Sequence, residues 1–151
     1  VLLADLKDSG SVAQVVAWPY NVDTGKIVEM RWNGAQLTDI TELKDGPGYW
    51  IEMTKPSVLV FEGTPLPEPP MATPSYLVYA GWNLIGFKSQ QPEIQAKDYL
   101  GSDVSASMRM MFGYDAATGF YTQVTLDTTL EPGSGYWMAV GTNGTIDPPA
   151  S

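Results

Sequence analysis

The chain has 151 residues, no histidine, no cysteine and a formal net charge of −9. Without histidine and cysteine, disulfides, the usual zinc, haem and iron–sulfur ligand sets, and catalysis by either side chain are excluded. The negative charge is spread over both halves without a basic stripe, so the sequence predicts no nucleic-acid partner.

Short apolar runs bounded by Gly, Asp and Pro predict β-strands through most of the first half of the chain. These runs are rich in Val, Ile, Met and aromatic residues, which suit a pleated and half-buried surface. The expected strands are residues 13–20, 26–32, 49–53 and 57–62. Residues 1–6, which precede these strands, are expected to form a short helix.

A proline-rich segment separates the two halves. Residues 64–75 contain five prolines in twelve positions. Such a composition is typical of an extended, semi-rigid linker that cannot join the interior of a sheet. Residues 148–151 resemble the start of a further linker.

The second half contains the same kinds of elements. A short helix is expected over residues 92–101, because Pro92 stands near its start and Gly101 follows its end. Short apolar runs again predict strands. The expected strands are residues 76–79, 82–87, 108–114, 120–125, 135–140 and 144–146.

The two halves share motifs in the same order. Residues 43–51 (LKDGPGYWI) return as residues 130–138 (LEPGSGYWM), and the aromatic turn at 18–25 (WPYNVDTG) returns at 112–119 (FGYDAATG). Self-similarity in a fixed order identifies a repeated structural unit.

The repeat predicts a mainly β fold. We expect two related small β-sandwich or barrel-like repeats, each with one short helix, joined by a Pro-rich linker. The expected boundaries are 1–63 for the first repeat, 64–75 for the linker, 76–147 for the second repeat and 148–151 for the start of a further linker.

The repeated motifs resemble a known module. A Gly-Trp-Asn-Leu-Ile opening at 81–85, a Tyr-Asp-x-x-Thr-Gly turn at 114–119 and a closing Leu-x-Pro-Gly-x-Gly-Tyr-Trp at 130–137 are similar to a tandem module of bacterial and archaeal secreted and cell-surface proteins. The resemblance implies an extracellular or cell-surface, non-catalytic, β-rich module that often stands beside adhesion domains or enzymes. It offers no catalytic residues to transfer.

The two repeats differ at their beginnings. The second repeat opens with the Gly-Trp-Asn strand, whereas the first begins with its helix-like segment and has no equivalent strand. A unit that lacks one strand leaves a sheet edge unpaired. We therefore expect either truncation, or a strand supplied by another segment or chain.

A candidate ligand site lies where the first repeat is longer. Tyr20 and Tyr49 are separated by 29 positions, against 22 for Tyr114 and Tyr136 in the second repeat. Residues 29–34 of this insertion are expected in a loop or hairpin tip. An exposed Trp32 would form a binding platform there with Arg31 and Asn33.

The aromatic pairs of the repeated motif are expected in the core. Tyr49-Trp50 and Tyr136-Trp137 follow a Gly turn on a strand that directs one ring inward. Burial of large aromatic side chains is the strongest stabilising contribution that so small a unit has.

Two further polar motifs have structural interpretations. Asp23 and Asp115 each precede a glycine, and each is expected to cap a turn by a hydrogen bond to the backbone downstream. A calcium site is not expected, because calcium requires six to eight oxygen ligands and neither turn has a dense series of such ligands. Asn143-Gly144-Thr145 fits the glycosylation acceptor pattern, which points to a secreted surface loop.

These observations favour a structural or adhesive, surface-layer-like module that acts through protein–protein contacts or strand exchange. A protein partner, or self-association through the unpaired edge of the first repeat, is expected. The alternative is a carbohydrate-binding module appended to a secreted enzyme. Its sign would be two or three coplanar exposed aromatic rings, with Trp32 the first to examine.

Catalytic and membrane roles are not expected. An enzyme would need a polar cluster that the linear sequence does not contain, so we expect no catalytic residues. We also expect no metal or other cofactor. No apolar run is long enough to span a bilayer, so membrane insertion is not expected either.

Overall fold

The structure is a computed structural model that describes residues 10–33, 40, 42–58, 75–89 and 93–149. It is mainly β, with several small antiparallel sheets. Residue contacts divide the chain into two compact units, Val1–Pro65 and Leu66–Ser151. The expected helix at 1–6, almost all of the expected linker at 64–75, and most of the expected strand at 57–62 lie outside the described residues.

The first unit contains a three-stranded antiparallel sheet in the order β4-β1-β5 and a two-stranded sheet of β2 and β3. Its strands are β1 (Val12–Ala17), β2 (Tyr20–Asn21), β3 (Lys26–Ile27), β4 (Met30–Trp32) and β5 (Trp50–Met53).

Two expected strands of the first unit are each divided in two. The run at 13–20 is interrupted after Ala17, because Pro19 has no N–H to donate to a ladder and its carbonyl instead accepts from the Val28 N–H at 3.0 Å. The run at 26–32 is interrupted between Ile27 and Met30.

The second unit contains a four-stranded antiparallel sheet in the order β10-β9-β12-β7 and two two-stranded sheets, β11-β8 and β13-β6. Its strands are β6 (Tyr76–Val78), β7 (Gly81–Gly86), β8 (Ile94–Gln95), β9 (Met108–Asp115), β10 (Phe120–Gln123), β11 (Thr129–Leu130), β12 (Gly135–Val140) and β13 (Gly144–Ile146). The six longer strands confirm the sequence predictions within a few residues.

The described residues contain one helix, α1 (Ala96–Ser107), which is longer than the expected one. Gly101 has φ +73° and breaks the helical backbone, as expected for a glycine that ends a helix. The chain then resumes a second helical turn, because Val104 is buried against the core beside Gly144 of β13.

The buried Tyr99, with the half-buried Tyr76 beside it, ties α1 to the end of β7. The Tyr99 hydroxyl donates to the Gly86 carbonyl at 3.1 Å, accepts from the Lys88 N–H at 2.8 Å, and lies 2.7 Å from the Tyr76 hydroxyl. Burial raises the pKa of both tyrosines above their usual range, so both hydroxyls stay protonated and can donate.

Each unit has its own core. Among the described residues, fourteen buried residues of the second unit pack between its sheets and α1, and four pack together in the first unit: Val15, Ala17, Trp32 and Ile40. Side chains of the first unit such as Tyr49 and Ile51 are only half-buried against this core.

Both copies of the Gly-x-Gly-Tyr-Trp motif close the same loop with the same hydrogen bond. The Lys44 N–H donates to the Tyr49 hydroxyl at 2.9 Å, and the Glu131 N–H donates to the Tyr136 hydroxyl at 3.0 Å. The first glycine of each motif has positive φ, +97° at Gly46 and +80° at Gly133. Each tyrosine ring therefore points inward and fixes the loop that leads into its strand.

Removal of one hydroxyl from this loop tests its contribution to stability. Tyr136→Phe leaves the Glu131 N–H without its acceptor in a partly buried site and should lower the free energy of unfolding of the second unit by about 1–2 kcal/mol. Tyr49→Phe should cost less in the first unit, because water can replace the hydroxyl at its exposed loop.

Urea unfolding measured by NMR cross-peaks assigned to each unit checks this difference. Equal losses for the two variants would contradict the account.

Candidate functional site

The three residues expected to form a binding platform do not share one surface. Trp32 is only 2 % exposed and belongs to the core of the first unit, where it lies opposite Val15. Arg31 and Asn33 are exposed, and Arg31, as the neighbour of Trp32 on β4, lies on the other face of the sheet. The expected exposed position of Trp32 is therefore not observed.

Arg31 instead belongs to a polar network on the outer face of the first sheet. Its Nε lies 2.6 Å from the Glu29 carboxylate, and its Nη1 donates to the Gln14 side-chain oxygen at 3.1 Å. The hydrogen bond from Arg31 lowers the pKa of Glu29. Gln14 in turn donates to Glu52. This face of the first unit thus carries a polar network beside Val16 and Trp50, which lie on the same side of the sheet.

The corresponding face of the four-stranded sheet in the second unit is apolar. We call it the aromatic face. Strand register brings its side chains together, because residues directly opposite one another share a face. Its residues are Trp82, Leu84, Met110, Phe112, Tyr114, Tyr121 and Trp137.

The rings of the aromatic face form two contact groups. Trp82 lies 6.5 Å from Phe112 with ring planes 28° apart, and 6.4 Å from Trp137 in an edge arrangement. The Tyr114 and Tyr121 rings lie 5.2 Å apart. Trp82 is 42 % and Tyr121 is 53 % exposed. Exposed apolar patches of this kind mark contact or ligand sites.

The other candidate site is the outer edge of β5. In the second unit, β12 is covered on both edges, by β9 and by β7. Every residue of β12 lies opposite a residue of β7. In the described part of the first unit, β5 pairs with β1 alone and ends the sheet.

The core residues beside this edge are less buried than those at the same motif positions in the second unit. The two motif copies, 43–51 and 130–138, can be aligned and extended by two residues, to 53 and 140. This alignment matches four inward-facing residues of the first unit with four of the second. Leu130, Tyr136, Met138 and Val140 are between 0 and 6 % exposed. Their equivalents Leu43, Tyr49, Ile51 and Met53 are half-buried. The core side chains beside β5 are therefore more accessible to solvent than those beside β12.

The hydrogen-bond pattern determines which backbone groups lie on the outer edge of β5. The Thr54 N–H donates to the Ser11 carbonyl at 2.8 Å, and Met53 lies opposite Val12. Backbone groups of successive strand residues point to opposite edges. Ile51 and Met53 therefore direct their N–H and C=O groups away from β1.

The two aromatic turns are capped by side chains at the same position. In the second unit, Asp115 accepts from the Ala117 N–H at 2.8 Å and from the Thr118 hydroxyl at 2.9 Å. This confirms the capping role predicted for Asp115. In the first unit, the capping side chain is Asn21, two residues before Asp23, which was expected in that role.

The position of the cap follows strand pairing. Asn21 and Asp115 are the last paired residues before their turns, so their side chains face the freed backbone N–H groups. The Asn21 oxygen accepts from the N–H groups of Asp23 and Thr24, at 3.0 Å each. Within the described residues, no group of three or more acidic side chains could hold a metal ion.

Asn143, which fits the glycosylation acceptor pattern, lies on an exposed turn. Its side-chain oxygen accepts from the Ala80 N–H at 2.8 Å, and Asn83 forms two hydrogen bonds with the backbone of Tyr79. These amides hold the turn between β6 and β7. Asn83 of the Gly-Trp-Asn motif is thus a turn-stabilising residue.

Sequence reasoning missed the aromatic face. Trp82 and Phe112 lie in expected strands, but a strand sequence alone does not state which side faces the core. Alternation was the available signal, because Met111 and Ile85 alternate with Phe112 and Leu84 along β9 and β7.

Comparisons with family models, with curated proteins and with solved structures find no match for this chain. Among the described residues, no helix is long and apolar enough to cross a membrane.

The hydrogen bonds of Asp115 in the second aromatic turn predict how the stability of that turn depends on pH. The hydrogen bond from Thr118, followed by that from the Ala117 N–H, lowers the pKa of Asp115. Because the folded pKa is lower than the unfolded value of about 3.9, the cap stabilises the turn above that value and loses this effect as pH falls through the folded pKa.

Thr118→Val removes the principal cause and should raise the pKa of Asp115 toward its ordinary value. A carboxyl-carbon NMR titration measures the pKa directly, and Thr122→Val, outside the turn, serves as the control. An unchanged pKa in Thr118→Val would contradict this assignment.

Proposed function

We propose that the chain is a non-catalytic structural or adhesive module that acts through protein–protein contacts at the outer edge of β5. The observation that carries the proposal is the difference between the two Tyr-Trp strands. In the described residues β5 has one partner strand, whereas β12 has two. A strand edge of this kind is a template for pairing with another strand.

The chemistry of the edge supports a contact by strand addition. Ile51 and Met53 offer the outward N–H and C=O groups, and their half-buried side chains gain burial when the edge is covered. Two copies can pair β5 with β5 in an antiparallel, two-fold symmetric arrangement. Backbone hydrogen bonds and apolar burial then stabilise the contact together.

We further propose that the two units are related repeats of a small β-sandwich or barrel-like kind, joined by a proline-rich linker. The shared tyrosine–amide bond and the shared position of the turn cap support this relationship. The strand order is also equivalent, since β4-β1-β5 corresponds to β10-β9-β12.

The location and the non-catalytic role rest on the sequence. The motif resemblance supports an extracellular or cell-surface site in a bacterium or archaeon. The lack of histidine and cysteine removes the commonest general base and the thiol nucleophile.

A proline at the outer edge of β5 tests the contact. Met53→Pro removes an outward N–H, which an edge strand tolerates, and should abolish self-association of the full chain. Met53→Ala loses the same side chain but keeps the N–H, and should still associate. Sedimentation velocity over a range of concentrations measures this difference.

The expected result is concentration-dependent association of the unmodified chain and of Met53→Ala only. A chain that stays monomeric up to high-micromolar concentration, or one that associates equally well with proline at position 53, would overturn the proposed contact.

The second candidate function is carbohydrate binding, and the aromatic face is the observation that favours it. The exposed ring of Trp82 and the half-buried ring of Phe112 beside it, with planes 28° apart, resemble a stacking platform for a sugar ring. Flat apolar rings bind by burial of area, and polar atoms at the margin set orientation.

Trp82→Ala tests the glycan alternative, and Phe120→Ala is its matched control. Phe120 is 72 % exposed but lies on the opposite side of β10 from Tyr121. If glycans bind the aromatic face, Trp82→Ala should weaken binding by about tenfold or more, whereas Phe120→Ala should not. A glycan array with no binding by the unmodified chain would eliminate this function.

A further inference from the structure

The second unit provides a template for what can cover the edge of β5. We propose that this edge binds an extended six-residue strand with the β7 pattern Gly-Trp-Asn-Leu-Ile-Gly, antiparallel to β5 and opposite residues 48–53. This inference rests on the proposed function and names the chemistry of its partner. Because β7 is already paired with β12, the strand is supplied by another protein chain.

The register of β7 on β12 defines the register on β5. In the second unit Ile85 lies opposite Tyr136, Leu84 opposite Trp137, and Trp82 opposite Ala139. The same register in the first unit places the isoleucine position of the incoming strand opposite Tyr49. The leucine and tryptophan positions then lie opposite Trp50 and Glu52.

The isoleucine position should carry most of the affinity. Ile85 is 3 % exposed and belongs to the core of the second unit. An isoleucine opposite Tyr49 would extend the core of the first unit and cover its half-buried Tyr49 and Ile51. Burial of one such side chain corresponds to about tenfold or more in affinity.

The tryptophan position should matter less in the first unit. Trp82 lies on the aromatic face among Phe112 and Trp137. On the equivalent face of the first unit, Trp50 stands at the position of Trp137, but Val16 lies opposite it where Phe112 lies opposite Trp137, so the incoming ring would have one aromatic neighbour in place of two. The edge of β5 should therefore select for the inward residue of the strand.

The backbone contributes the remaining interactions. Ile51 and Met53 present outward N–H and C=O groups to an incoming strand, in the antiparallel ladder that β12 forms with β7. Loss of one of these donors should weaken binding without a change in side-chain contacts.

A synthetic peptide with the sequence of residues 80–88 (AGWNLIGFK) tests the inference on the full chain. Fluorescence anisotropy measures its affinity, and amide NMR shifts locate the site. We expect saturable binding with shifts at residues 48–53. The peptide carrying Ile85→Asp should bind about tenfold or more weakly. The peptide carrying Trp82→Gln should lose less affinity than the Ile85→Asp peptide.

Protein variants separate this site from the second unit. Binding should be weakened in Met53→Pro and retained in Met53→Ala. Saturating peptide should also dissociate any self-associated chain, because both use the same edge.

The possible results distinguish the inference from the proposed function. No binding, equal affinity of the Ile85→Asp peptide, or shifts confined to β7 and β12 would overturn the inference. If self-association still depends on the N–H of residue 53 in that case, the contact at β5 stands and only the assigned strand chemistry falls.

Discussion

A β-strand has two edges with backbone groups to hydrogen-bond. In each unit, the rest of the structure depends on what pairs with the second edge of the strand at the Tyr-Trp motif, β5 in the first unit and β12 in the second. In the second unit β7 pairs along the whole of β12, so that Ile85 is buried in the core. Tyr136 and helix α1 pack against the same core. In the described part of the first unit β5 has β1 alone, and the core side chains Tyr49 and Ile51 beside this edge are half-buried. The same local motif thus stands in two environments.

The outer faces of the two sheets differ as much as their edges. The first unit carries an Arg31–Gln14–Glu52 network beside Trp50 and Val16 on its outer face. The second carries the rings of Trp82, Phe112 and their neighbours. The two outer faces therefore differ in their share of charged side chains.

The sequence predicted what depends on short-range chemistry. The capped turn at Asp115, the inward Tyr136 and the strands at 135–140 and 144–146 follow from local turn residues and alternation. It did not predict what depends on register, since a shift of one residue exchanges the two faces of a strand. Trp32 is therefore buried and Trp82 exposed, although both are strand tryptophans. The helix continues past Gly101 because tertiary burial of Val104 outweighs a local stop signal.

Amide hydrogen exchange of the full chain, at a concentration where it is monomeric, shows whether the outer edge of β5 is open. The N–H groups of Ile51 and Met53 should exchange rapidly, whereas those of Glu52 on the same strand and Met138 on β12 should be protected by their ladders. Protection of Ile51 and Met53 equal to that of Met138 would mean that the edge of β5 is already covered within one chain, so that no open edge exists for a partner.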